Sequence, residues 1–192
     1  MAIALGIIGG IVLLFFLYIM SSYNGMVRGK NMVDEAWSGI NVQLKRRHDL
    51  IPSLVNTVKG YAEHESSVLR QVTEARASAV SAAAASATAG GVKNVMQAEN
   101  NLMHTLRSLF AVAENYPQLK ANENFLQLQH QLSEIEDEIQ MSRRYYNGTA
   151  REQNNRVLQF PGNLIANHFG FEKVTYFELD DESERAVPEV KF

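Results

Sequence analysis

Residues 33–62 read VDEAWSGINVQLKRRHDLIPSLVNTVKGYA, and their apolar side chains step by fours and threes: Val33, Trp37, Ile40, Leu44, then Ile51, Val55, Val58 and Ala62. That spacing lines one face of an α-helix. The seam resumes at Leu69, Val72 and Ala79, so it predicts a long helix, or two stacked ones, packed in a bundle or coiled coil. A continuous rod of this length would measure roughly 70 Å. Pro52 has no backbone N–H and its ring presses on the carbonyl of His48, so a kink or a restart is expected there, with Asp49 placed to cap a new helix.

Toward the N-terminus the pattern changes from striped to uniformly apolar. No charged side chain occurs from Met1 to Val27, and Ile3, Leu5, Ile7, Ile8, Ile11, Val12, Leu13, Leu14, Phe15, Phe16, Leu17 and Ile19 fill the run. On an insertion scale these residues sum to about −5 kcal/mol, enough to read Ala2 to about Tyr23 as a membrane-spanning helix. A cleaved signal peptide would need Lys or Arg before the run and a small-residue site after it, and neither is present. Arg28 and Lys30 follow at once, and Lys45, Arg46 and Arg47 come later. The positive-inside rule therefore predicts a single-pass membrane protein, with a short N-terminus outside and the body in the cytoplasm. Gly6 and Gly10 have the spacing that lets two such helices approach closely, one reason to expect a homo-oligomer.

Toward the C-terminus, residues 75–89 are mostly alanine and serine and end at Gly90 and Gly91, which reads as a helix fraying into a turn. Val92, Val95, Met96, Leu102, Met103, Leu106, Leu109, Phe110 and Ala113 trace a second helix, stopped by Asn115, Tyr116 and Pro117. A third runs from about Asn122 to Phe160 and Pro161. Phe125, Leu128, Leu132, Ile135, Ile139, Tyr146 and Val157 lie on one face, with Glu134, Glu136, Asp137 and Glu138 mostly on the other. The expected architecture is all-α. Residues 1–27 are expected to form a transmembrane anchor, 28–171 an up-and-down antiparallel bundle, and 172–192 an acidic, extended, loosely held tail. Pro188, Val190 and Phe192 alternate with polar residues in that tail, as a segment docking in a groove would.

Composition narrows the function. The chain of 192 residues carries a formal net charge of −3 and no cysteine, which excludes disulfides, thiolate chemistry and Cys-based metal sites and gives no reason to expect nucleic acid. His64-Glu65 opens a zinc-helix pattern, but Val68 stands where the second histidine belongs. No G-x-S-x-G elbow and no P-loop occurs. No cofactor, metal ligand or catalytic residue is expected. Lys45, Arg46 and Arg47 form the densest basic run, read either as a contact with anionic headgroups or a partner, or as a charged face pairing with Asp49 and the acidic third helix. Asn147-Gly148-Thr149 matches the glycosylation pattern by chance, since it falls within a helix.

Several blocks together resemble the LemA family of bacterial single-pass membrane proteins. They are Tyr23-Asn24, Ala36-Trp37-Ser38, the run from Gln43 to Pro52, the run from Val58 to Glu65, the run from Tyr116 to Asn122, Tyr145-Tyr146-Asn147, the run from Phe160 to Ala166, Tyr176-Phe177, and Pro188 to Phe192. The resemblance covers nearly the whole chain. It implies a bacterial inner-membrane protein, with an up-and-down bundle of four-helix type behind an N-terminal anchor, and assigns no catalytic residue or ligand. Two functional expectations follow. The first is a non-enzymatic scaffold that self-associates or holds membrane or cytoplasmic proteins at the inner face. The alternative is an enzyme or ligand sensor with a pocket in the bundle core, lined by polar seam residues such as Glu65, Glu99 and Gln153.

Overall fold

The computed structural model describes residues 1–86 and 91–178. Helix dominates them and no strand occurs among them. The order is α1 (Ala2–Lys59), a 3-10 turn at Glu63–Glu65, α2 (Ser66–Ala84), α3 (Gly91–Ala113), the short α4 (Pro117–Lys120), α5 (Glu123–Leu158) and α6 (Gly162–Phe169). The helical-bundle expectation therefore holds.

α1 does not restart at Pro52. The missing N–H leaves the His48 carbonyl without its helical donor, and Arg76 supplies one, its Nε donating to His48 O at 2.7 Å. Asp49 consequently sits inside the helix, where it accepts from Lys45 Nζ at 2.9 Å instead of capping. The break falls at Gly60, where the helix closes with Ala62 N donating to Val58 O at 2.9 Å. The seam expected to continue from Ala62 to Leu69 is thus carried by two helices, α1 and α2.

The chain divides into two compact units. One comprises Met1–Ile40 and Met141–Tyr176, and the other comprises Asn41–Gln140 together with Phe177. In the second unit, Ile51, Leu54 and Val58 of α1, Leu69, Val72 and Ala79 of α2, Leu102, Leu106 and Leu109 of α3, and Phe125 and Leu132 of α5 share one core. Burial of each large aliphatic side chain contributes on the order of 2 kcal/mol. In the first unit, Trp37 of α1 meets Tyr146 of α5 at a ring separation of 5.5 Å. Further along, Arg156 of α5 donates to Gly25 O of α1, so the two segments run antiparallel.

Past α5 the chain turns at Phe160-Pro161 and forms α6, whose Ile165 and Ala166 bury against Met26 and Val157. Gly170 ends α6 in the left-handed conformation, with φ 73°, and its N–H bonds Ala166 O. The expected loose tail from 172 is pinned at its start. Asn154 Nδ2 donates to Val174 O at 3.0 Å and Asn154 Oδ1 accepts from Val174 N at 2.7 Å, while Tyr146 Oη donates to Thr175 O at 2.8 Å. Burial, then the Asp34 charge, pushes the Tyr146 hydroxyl up to about 12, so it remains a donor at physiological pH. Pro188, Val190 and Phe192 lie outside the described residues.

Candidate functional site: a buried charged cluster

Following the step of fours and threes along α1 without regard to chemistry gives Ile40, Leu44, Arg47, Ile51, Leu54 and Val58, all of them buried. Arg47 thus occupies a core position between two aliphatic residues. Glu99 does the same on α3, where Val92, Val95, Leu102, Leu106 and Leu109 are its buried companions. The fold brings the two together: Arg47 Nη2 bonds Glu99 Oε2, and His48 Nε2 lies 2.7 Å from Glu99 Oε1. Arg47 Nη1 reaches Glu136 Oε2 of α5 at 2.7 Å.

The Glu99 side chain is only 1% exposed and that of Arg47 3%. Burial pushes the Glu99 carboxyl up, but the hydrogen bond from His48 and the charges of Arg47 and His48 together outweigh it and hold the group below its ordinary value of 4.5. Both carboxylate oxygens are engaged. Buried charge without such partners would cost several kcal/mol, so the four side chains and the helices that carry them specify one register.

The structure distributes the remaining candidates as follows. Lys45 is exposed and pairs with Asp49, and Arg46 is exposed and donates to Gln43. Arg47 does not belong to that exposed run. Its guanidinium is turned into the core and neutralised by two carboxylates, which removes it from any contact with headgroups or a partner. Glu136, read as a polar-face residue, is drawn partly inward by the same pair. Glu65 accepts from Tyr116 Oη at 3.2 Å. Gln153 is buried in the other unit.

Neither of two small surface cavities is lined by Glu65 or Glu99. A depression of about 40 Å³ lies among Phe110, Ala113, Glu114, Lys120, Phe125, Leu126 and Gln129. A cleft at Gly29, Thr149 and Gln153 has no room for a water molecule. Among the described residues no group of three or more His, Asp or Glu side chains could hold a metal ion. What the cluster does chemically is to bind three helices of one unit to each other.

The apolar run at the start of α1 behaves oppositely. From Ile3 to Tyr18 every side chain is exposed, and this helix is long and apolar enough to cross a membrane. An exposed apolar run of this length joined to a packed, charge-locked helical body defines a membrane-associated helical protein, with one candidate span among the described residues. The chain belongs to the LemA family, whose model matches residues 36–192. It is similar to Magnetosome protein MamQ 2 of Paramagnetospirillum magneticum, at 25% identity over 186 residues covering 87% of this chain and 68% of the relative. It is also similar to Protein LemA of Metamycoplasma hominis, at 26% identity over 168 residues, 88% of this chain and 74% of the relative. Magnetosome protein MamQ of Magnetospirillum gryphiswaldense is 22% identical over 182 residues, covering 85% and 67% respectively.

Proposed function

We propose that this protein is a non-enzymatic scaffold, anchored in a bacterial inner membrane by the start of α1, which self-assembles or holds protein partners on the cytoplasmic side. The observation that carries this reading is the state of the one deeply buried carboxylate among the described residues: both oxygens of Glu99 are taken, by Arg47 and His48. An enzyme or sensor needs a polar group left free to meet its ligand. A scaffold needs its charges spent on holding helices in register.

Orientation rests on Arg28 and Lys30 following the apolar run. Self-association is supported by Gly6 and Gly10, beside which a Cβ would meet nothing within 4 Å, leaving room for a second helix to approach. Membrane organisation or quality control is the setting we favour. That two relatives bear the name of magnetosome proteins supports the former.

Crosslinking in native membranes, followed by native mass spectrometry of the detergent-extracted protein, tests the reading. A discrete oligomer or a retained protein partner is expected. A strictly monomeric species that carries no partner would contradict it.

A further inference from the structure

α5 descends antiparallel to α1 toward the apolar run, from the Tyr146–Trp37 ring contact to the Arg156–Gly25 hydrogen bond. α5 ends at Leu158, and Phe160 lies in the turn that joins it to α6. α6 then packs directly against the end of the apolar run. Ile19, itself within the apolar run, packs against the cluster of Met26, Val157, Ile165 and Ala166, and the Tyr23 ring lies 4.8 Å from Phe169 and 5.7 Å from Phe171. A bilayer core of about 30 Å accommodates about 20 helical residues, so a span beginning at Ile3 emerges near Ser22. α6 therefore sits level with the headgroups.

At that level Phe160 is 79% exposed, Leu164 61% and Phe169 48%, with Asn167 and His168 exposed beside them. We propose that the α5–α6 turn and α6 form a second membrane contact, in which Phe160, Leu164 and Phe169 insert into the boundary between headgroups and acyl chains of the bilayer that α1 crosses. This rests on the reading of α1 as a span. Lipid is the occupant because α6 packs on Ile19 and Tyr23 at the end of the span, and because it buries Ile165 and Ala166 on its inner side, as an interfacial helix docked on its own anchor would. The contact fixes how this unit stands on the membrane.

The cysteine-free chain permits single nitroxide labels in the full-length protein, reconstituted in vesicles of phosphatidylcholine and phosphatidylglycerol. Phe160→Cys and Leu164→Cys are compared with Leu13→Cys in the span and Leu126→Cys on the body, by accessibility to oxygen and to a water-soluble nickel chelate. The oxygen-to-nickel ratio at 160 and 164 is expected to exceed that at 126 by at least about three-fold and to fall short of that at 13. A ratio at 160 and 164 equal to that at 126, with 13 lipid-like, overturns the inference and leaves the anchor standing. If 13 is also aqueous, the anchor reading fails and the inference with it. Labels shielded from both reagents, or broadened by a neighbouring label, show a second copy or another protein covering the face and also overturn it. A variant that loses helicity is replaced by Leu158→Cys, whose side chain is exposed at the same end.

Discussion

Arg47 and Glu99 each sit where the helical repeat calls for an aliphatic side chain, and each is tolerable there because of its charged partners, Arg47 and His48 for Glu99, Glu99 and Glu136 for Arg47. Replacing Arg47 with alanine leaves Glu99 with His48 alone and should cost about 3–5 kcal/mol, whereas the double replacement Arg47→Met with Glu99→Leu should recover most of that loss, as read by urea unfolding in detergent. pH should act through the same carboxyl. Its folded value is depressed, so the unfolded chain binds the proton more readily and stability rises with pH through this range. The contribution is complete well above the ordinary value of 4.5 and is lost as pH falls through the folded value. Acid unfolding should be correspondingly blunted in Glu99→Gln. The sequence displays Glu99 as an interruption of an apolar stripe. Arg47 is equally visible in the period between Leu44 and Ile51, but its place in a basic run suggests a surface residue. Its partners could not be read, because they come from helices more than fifty and nearly ninety residues away.

Long helices were legible as elements from periodicity alone, but their ends were less so. Pro52 signals a break that the fold avoids by lending the His48 carbonyl a donor from α2, a compensation invisible to local rules. Arg76→Met should therefore destabilise the chain by about 1–3 kcal/mol, because it leaves that carbonyl unpaired. α6 has only eight residues, too few for a helical repeat to show. Its seat is tight: a Cβ on Gly162 would stand 2.7 Å from the backbone oxygen of Arg156 and 3.4 Å from Met26 Cε. Gly162→Ala should force the turn apart at a cost of about 1–3 kcal/mol. Limited proteolysis should then cut between α5 and α6 sooner than in the parent chain. The start of the C-terminal tail looked loose in sequence because its anchors are the amide of Asn154 and the hydroxyl of Tyr146, polar groups on a helix whose stripe was judged by its apolar members.

At the scale of the molecule, the exposed apolar run is the feature that hydropathy reports most directly, because a membrane span is recognised by composition and length without any tertiary partner. Its direction across the membrane belongs to the same logic. A single cysteine in place of the exposed Lys93 should escape an impermeant maleimide in intact spheroplasts and react once the membrane is opened, whereas labelling of intact spheroplasts would reverse the orientation. The anchoring itself is tested most directly by alkaline carbonate extraction of membranes carrying the full chain beside one lacking residues 2–23. The full chain should stay in the pellet and the shortened one should pass to the supernatant as a folded helical protein. Release of the full chain by carbonate would contradict the membrane-anchored account.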